Sequence, residues 1–452
     1  MTGSEPTHQR APGAEHEPTG LTVAAEPVDP ADEPEPAEPA EPARLAPRRD
    51  EASLPTRLRV PMPSRGPVSW IGPLAVMAVG GLLRFADLGR PHAVVFDETY
   101  YPKDALGLLA FGNERKMVEG ANDLLLGSSG NWRDLDLFTG APNFVVHPPF
   151  GKWTIAVGEW LFGATPFGWR FAVAVLGTLS ILMVARIARR LTRSDLIGTL
   201  AGLLLAIEGQ HLVLSRTGLL DMVLTFWVVA AFGLLLIDRD RTREHLARLV
   251  EREGLDSVAT TWGPRLGPRP WRWAAAVALG LACGVKWSGL WFLAVFVMLT
   301  LAWDVSARRA IGVARPWRAT IVRDAPATGA SMLAIAAVVY LATWTGWLVG
   351  STGYGRTWAD SQPQTWVPDA LRSLWHYHAE AWRFHVNLTS EHAYASNALS
   401  WPFQARPTAF YFETTTDGTG GCDVAKCASA VTALGNPIIW WFGIVAVLYQ
   451  AW

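Results

Sequence analysis

Two adjacent carboxylates, Asp97 and Glu98, are the first candidates for chemistry in this sequence. They follow an apolar run and precede two tyrosines, the second of which is Tyr101. Because they come just after the first long hydrophobic segment, we expect them to lie near a membrane surface. A carboxylate held there is desolvated, so it tends to act as a base or to pair with a cation. Taken alone, the pair also fits a solvated start to a loop.

A second set of ionisable residues lies within or at the ends of hydrophobic segments. A charge at the bilayer centre costs roughly 2.5–3.5 kcal/mol on insertion scales, so such residues are candidates for function. Each of them, taken singly, also fits a snorkelling or helix-pairing role. Together they place up to four cations on the face that holds Asp97. The set consists of Arg84, Arg170, Glu208, Arg216, Asp221 and Lys286.

Cations clustered beside a membrane indicate an anionic lipid headgroup, because Arg binds phosphate through a planar fork and Lys as a point charge. A sugar carried on a lipid phosphate leaves as a stable anion, so the leaving group needs cations rather than a general acid. The acceptor hydroxyl then needs one base. A glycosidase, by contrast, uses two carboxylates. The residues therefore fit a single displacement that inverts the anomeric carbon, with one acidic residue of the Asp97–Glu98 pair as base.

The composition indicates the setting in which this chemistry would occur. Half of the 452 residues are hydrophobic, only 17% are charged, and 23 are Trp. The hydrophobic runs are too long and too many for one globular core, so we expect a polytopic, all-α membrane protein. The charge balance gives no indication of nucleic-acid binding. The predicted spans are 68–85, 167–185, 196–214, 217–237, 271–285, 287–303, 327–349 and a last one that begins near 437.

The polar segments divide the chain. Residues 1–66 are rich in Pro, Ala and Glu and are predicted to be a disordered tail. Residues 67–349 form the predicted transmembrane core, with a first outer loop at 87–166. That loop is expected to contain a short surface helix at 102–111 and an interfacial helix at 153–162. A second large loop covers 350–436, and the apolar segment 437–452 continues to the last residue, which indicates a truncated chain.

Basic residues follow every second span, as in the connections of a cytoplasmic side. This pattern predicts a cytoplasmic amino terminus and two large loops on the extracytoplasmic face of the plasma membrane. Cys422 and Cys427 then lie in an oxidising compartment, where they form a local disulfide or remain two free thiols.

Several short motifs, in this order, resemble those of bacterial protein O-mannosyltransferases that use polyprenyl-phosphate mannose. That family is related to the eukaryotic dolichol-dependent enzymes and belongs to the membrane glycosyltransferases of the C-type fold. The resemblance covers the chain from about residue 83 onward. Its segments are FDETYY at 96–101, HPPFGK at 147–152, FGWR at 167–170, SRTGLLD at 215–221, GVKWSG at 284–289, HAYAS at 392–396 and ALGNP at 433–437.

The resemblance implies roles for the matching residues. Asp97 would be the base that deprotonates a Ser or Thr hydroxyl, and Glu98 would support the site or the acceptor. Arg170 would grip the lipid phosphate, with Lys286 and Arg84 as weaker candidates. His147 would hold the first outer loop against the sugar or the phosphate, unless the two prolines after it give it a purely structural role. Further support is expected from Tyr101, Arg216, Asp221, His392 and Arg406.

The partners implied are polyprenyl-phosphate mannose, secreted Ser/Thr-containing proteins and the Sec translocon, with no cofactor and no metal. Two alternatives remain open: transfer of another lipid-linked sugar to a glycolipid, and transport of a lipid-linked sugar. A transporter predicts internal repeats, whereas this sequence shows none and has two large outer loops. The chain departs from its eukaryotic relatives, because loop 350–436 is too short for their extra β-trefoil domain. The family also has about eleven spans.

Overall fold

Apolar helices make up most of the chain in a computed structural model, which describes residues 54, 58–59, 61–63, 66–128, 130–416, 418 and 422–452. Most of the predicted tail at 1–66 lies outside the described residues. The helices of the first half are α1 (Val68–Phe85), α2 (Tyr101–Phe111), α3 (Ala121–Leu126), α4 (Phe150–Phe162), α5 (Pro166–Thr192), α6 (Asp195–Ala206), α7 (Gly209–Ser215) and α8 (Leu220–Glu253).

The second half continues in the same way. Its helices are α9 (Leu255–Val258), α10 (Pro270–Val285), α11 (Gly289–Ala310), α12 (Pro316–Ala319), α13 (Ala325–Thr343), α14 (Thr345–Val349), α15 (Asp369–Asn387) and α16 (Pro437–Ala451). A single π-helical turn, Thr320–Asp324, joins α12 to α13. The predicted bounds of the first span and of the surface helix after it agree with α1 and α2 to within one residue.

Five of these helical segments are long and apolar enough to cross a membrane, or six if the bent pair α6 and α7 counts as one span. The eight predicted spans exceed this number. The helix α10 has 16 residues and α16 has 15, whereas a straight span needs about 20. The described chain is a multi-pass helical membrane protein.

The prediction of one continuous span at 196–214 is wrong, because α6 and α7 meet at an angle of 64°. Two side chains satisfy the backbone groups that the break exposes. The carboxylate of Glu208 accepts the N–H of His211 at 2.6 Å. The guanidinium of Arg84 donates to the carbonyl of Ala206 at 3.2 Å.

The two predicted outer loops also contain small sheets that an all-helical prediction omits. In the first loop, β1 (Arg115–Met117) pairs antiparallel with β2 (Phe138–Pro142). In the second, β3 (Thr408–Thr416) pairs antiparallel with β4 (Lys426–Ala433). Residues 408–416 are mostly β-branched and aromatic, which favours a strand. A disulfide joins Cys422 to Cys427 at the turn of this hairpin.

Glu208 ties the last helix to the rest of the fold. Besides His211, its carboxylate accepts the backbone N–H of Asn436 and the indole N–H of Trp440, each at 3.0 Å. The Glu208 carboxylate, although it lies in an apolar segment, thus accepts hydrogen bonds from three donors at two helices.

We predict that Glu208→Ala lowers the free energy of unfolding by about 1–3 kcal/mol, because it leaves partly buried N–H groups without an acceptor. Thermal unfolding in lipid nanodiscs measures this loss. Glu253→Ala, at the exposed end of α8, is the matched control and should have no effect. An unfolding temperature that Glu208→Ala leaves unchanged would contradict the anchoring role.

Candidate active site

Asp97 lies in a 3₁₀ turn, Phe96–Thr99, which leads directly into α2. Its side chain is half-buried. The phenol of Tyr101, one helical turn further on, donates to Asp97 Oδ2 at 3.4 Å. The turn therefore presents one carboxylate at the surface of the site and places a hydroxyl donor beside it.

Glu98, the neighbouring carboxylate, points the opposite way and is fully buried. Its Oε1 accepts from Arg170 Nε and from the N–H of Gly218, both at 2.7 Å. Its Oε2 accepts from Arg170 Nη2 at 2.7 Å and from the N–H of Val95 at 2.9 Å. Four donors fill the four acceptor positions of a carboxylate, so Glu98 supports the site and has no lone pair left for an acceptor substrate.

Arg170 is equally saturated. It gives two of its five N–H donors to Glu98, and the other three bond the carbonyls of Leu88 at 3.2 Å, Pro91 at 3.0 Å and Ala93 at 3.0 Å. Its side chain is 1% exposed. The expected grip of Arg170 on a lipid phosphate does not fit this geometry, because every donor already has a protein acceptor. Arg170 instead fixes the loop that carries Asp97.

Arg84 is buried as well, so its predicted role as a weaker phosphate ligand does not fit either. Besides Ala206, its guanidinium contacts the carbonyl of Gly80 at 2.9 Å and Nδ1 of His211 at 2.8 Å. Arg216 caps the end of α1, donating to the carbonyls of Leu83 at 2.7 Å and Arg84 at 3.0 Å. Both cations serve helix ends rather than a ligand.

Lys286 differs from these arginines because it faces open space. It lies in the short turn between α10 and α11, and its ammonium contacts both oxygens of Asp221 at 2.9 Å. The pair is partly exposed, with side-chain exposures of 19% for Lys286 and 44% for Asp221. Lys286 therefore remains a candidate for an anionic ligand, and Asp221 holds it in place.

Lys286 also lines a cavity of about 1350 Å³. The walls of this cavity are apolar and come from α11, α13 and α15. The polar residues that line it include Lys286, His147, His378, His385 and Arg383. His378 and His385 belong to none of the sequence motifs, yet both line this cavity. The apolar wall includes Leu290, Trp291, Leu293, Leu333, Ala336, Trp375 and Trp382.

The electrostatics favour a base at Asp97. Burial raises the pKa of Asp97 above its ordinary value, and the nearby Lys286 ammonium offsets part of that shift. Burial, with Lys286 and Lys152 nearby, lowers the pKa of His147 to about 3, so this imidazole is neutral at pH 7. Burial and Asp97 raise the pKa of Tyr101, which keeps its hydroxyl protonated and able to donate.

The His147 segment is held by a buried ion pair that no motif in the sequence predicts. Lys152 donates to the carbonyl of His147 at 3.0 Å and contacts Glu114 Oε1 at 2.5 Å. Burial raises the pKa of the neighbouring Asp104 to about 7. Lys152 stands within the HPPFGK motif, but no signal in the sequence marks Glu114 as its partner.

The two predicted residues of the second outer loop are placed differently. The ring of His392 meets the ring of Phe96 edge-on at 6.4 Å, so His392 lies beside the turn of Asp97. Arg406 is exposed and donates to the carbonyl of Ala395 at 3.3 Å. Of the two, only His392 is brought to the site by a described contact. Among the described residues, no group of three His, Cys, Asp or Glu side chains is arranged to hold a metal ion.

Two family models match parts of the chain. The chain matches the family model of dolichyl-phosphate-mannose-protein mannosyltransferases over residues 137–245. It also matches the model of the C-terminal four-transmembrane region of protein O-mannosyltransferases over residues 370–452.

Two relatives are similar over most of their length. The polyprenol-phosphate-mannose–protein mannosyltransferase of Mycobacterium tuberculosis is 38% identical over 410 residues, which are 87% of this chain and 73% of the relative. That of Corynebacterium glutamicum is 36% identical over 396 residues, 84% of this chain and 71% of the relative. Among solved structures, the Pmt1–Pmt2 complex of S. cerevisiae matches with a TM-score of 0.47 and 19% identity. That match covers 70% of this chain and 39% of the yeast chain.

The family models and the two relatives define a membrane-embedded glycosyltransferase. The chain belongs to the family of polyprenol-phosphate-mannose–protein mannosyltransferases. The family predicted from the motifs is thus confirmed, and the helical C-type glycosyltransferase fold predicted with it follows from this membership.

We predict that Arg170→Lys destabilises the protein by about 3–5 kcal/mol, because one ammonium cannot replace the fork and Glu98 becomes a buried, underpaired charge. Lys286→Ala, at the exposed pair, should change the unfolding temperature little. Thermal unfolding of both variants in nanodiscs separates the two roles. A stable Arg170→Lys variant would restore Arg170 as a candidate ligand.

Proposed function

We propose that this protein transfers mannose from polyprenyl-phosphate mannose to Ser or Thr hydroxyls of secreted proteins. One observation carries the proposal: a half-buried carboxylate, Asp97, is close enough to the Lys286 ammonium for the two charges to interact, and Lys286 lines a large apolar cavity. If the lipid chain lies in the cavity and its phosphate lies at Lys286, the sugar attached to that phosphate would lie next to Asp97. The names of the relatives indicate the same donor and a protein acceptor.

The donor lipid would occupy the cavity. A volume of about 1350 Å³ exceeds the roughly 300–1,000 Å³ of a site for a small molecule. Its walls offer Leu290, Leu333 and Trp375 to a hydrocarbon chain. Lys286 would contact the phosphate, and Arg383 and His385 also line the cavity.

The reaction would proceed in one displacement. Asp97 accepts the proton of the Ser or Thr hydroxyl as its oxygen attacks the anomeric carbon. The bond from that carbon to the phosphate oxygen breaks, and the electron pair stays on the phosphate, which Lys286 stabilises. Asp97 then releases the proton to water. Attack and departure occur on opposite faces, so the anomeric configuration inverts.

The supporting residues fit this scheme. Tyr101 holds Asp97 through its hydroxyl, and Glu98 and Arg170 hold the turn. Neutral His147, near Tyr101, would contact the sugar or the phosphate. Basic connections on the opposite ends of the helices support a site on the outer face of the plasma membrane, where acceptors emerge from the Sec translocon.

We predict that Asp97→Asn lowers transfer at least 1,000-fold, of the order expected for loss of a general base combined with its position. The assay uses purified protein in nanodiscs, radiolabelled polyprenyl-phosphate mannose and a Ser/Thr-rich peptide. Glu391→Gln, an exposed acid of the second loop, is the control. Label in the peptide that persists with Asp97→Asn would refute the assigned base, whereas label found only in a glycolipid would favour the alternative acceptor.

The pH dependence supplies an independent test. The raised pKa of Asp97 means that its carboxylate becomes protonated at a higher pH than that of an ordinary Asp, so kcat/KM should fall early as the pH decreases. Lys286 lowers this pKa, while Asp221 raises it. Lys286→Met should therefore move the acidic limb of the residual activity to higher pH. A limb that stays in place would show that another group titrates.

A further inference from the structure

The backbone just before Asp97 adopts a conformation that its residue disfavours. Phe96 has a φ of +52°. A bulky side chain in the left-handed region is a genuine outlier, because its Cβ crowds the backbone. Such a conformation persists only where the surroundings hold it in place. A change in this dihedral would redirect the Asp97 carboxylate, since Asp97 is the next residue.

The surroundings come from the far end of the chain. The ring of Phe410, on β3, stacks on the ring of Phe96 with centroids 4.6 Å apart and planes 7° apart. His392 closes the edge of the Phe96 ring. The second outer loop thus touches the first at the residue that precedes the base.

Phe410 is itself placed by an irregularity in the hairpin. Ala409 pairs with Thr432 and Tyr411 pairs with Val431, so Phe410 is an extra residue in the ladder. A bulge of this kind redirects the side chain it contains. The hairpin packs closely against α7. Leu434 directly follows β4, and a Cβ placed at Gly209, the first residue of α7, would lie only 2.3 Å from the carbonyl oxygen of Leu434. Phe410 therefore projects from an anchored support.

We propose that Phe410 is a positioning residue for the reaction: its stack on Phe96 holds the left-handed backbone that directs Asp97 toward the acceptor. This inference rests on the proposed function, in which Asp97 is the base. It makes Phe410 a support for the turn that carries Asp97, although no residue of the β3–β4 hairpin needs to contact the substrate. The donor cavity is lined by other elements, so the stack should affect turnover and leave donor affinity unchanged.

The test uses the full chain in nanodiscs with labelled polyprenyl-phosphate mannose and a Ser/Thr peptide. Phe410→Ala should lower kcat on the order of 10- to 100-fold, as expected when a reacting group is displaced by about 1 Å, with the KM for the donor unchanged. Phe410→Tyr keeps the ring and should retain activity. Phe412→Ala removes an exposed ring from the same strand and is the matched control. Should Phe410→Ala fail to fold, Phe410→Leu replaces it, since Leu keeps apolar bulk without a flat face.

A second set of variants tests the left-handed backbone conformation at Phe96. Asn tolerates the left-handed region far better than Ala, so Phe96→Asn combined with Phe410→Ala should recover part of the turnover that Phe96→Ala with Phe410→Ala does not. Equal kcat for Phe410→Ala and wild type, or a loss expressed only in the donor KM, overturns the proposal. Asp97→Asn is measured alongside. If Asp97→Asn is inactive and Phe410→Ala is fully active, only the positioning role fails, whereas an active Asp97→Asn removes the proposed base.

Discussion

The ion pair between Glu98 and Arg170 is the interaction on which the rest of the site depends. It lies in a buried, low-dielectric place, where two charges are tolerated only if their hydrogen bonds are complete. Here they are complete on both sides: four donors surround the carboxylate, and five acceptors surround the guanidinium. The pair joins the loop after α1, the start of α5 and the connection before α8. Three elements distant in sequence are thereby fixed around one turn.

The same pair separates the functions of two adjacent acids. Protein donors fill the acceptor positions of Glu98, so Asp97 is the carboxylate of this turn that can still accept a proton. The cations divide in a similar way. Arg84, Arg170 and Arg216 bond backbone carbonyls, whereas Lys286 faces the cavity. A guanidinium suits the first task because its rigid fork can serve several carbonyls at once. An ammonium paired with a half-exposed Asp221 can exchange partners when an anion arrives.

The sequence predicts much of this architecture because the deciding signals are local. The apolar length of α1, the motif around Asp97 and the family resemblance all lie in contiguous residues. The partner that a side chain contacts, by contrast, can lie far away in the sequence. An arginine at position 170 could bind either a phosphate or a carboxylate. Only the fold shows that its partner is the carboxylate of Glu98. Glu208 suggests a charge inside a span, yet it caps α7 and anchors α16. The stack of Phe96 on Phe410 leaves no mark in either segment, because an aromatic residue in a strand or beside a membrane is ordinary.

The central claim is that Asp97 acts as the base in a displacement from an anionic leaving group, with no carboxylate acting as nucleophile. That claim fixes the stereochemistry of the reaction, since one displacement inverts the anomeric carbon and a covalent intermediate on a second carboxylate would retain its configuration. The direct measurement is the anomeric configuration of mannose in the donor and in the glycopeptide product, determined by one-bond carbon–proton couplings in NMR spectra. The account predicts opposite configurations. The same configuration in donor and product would contradict it.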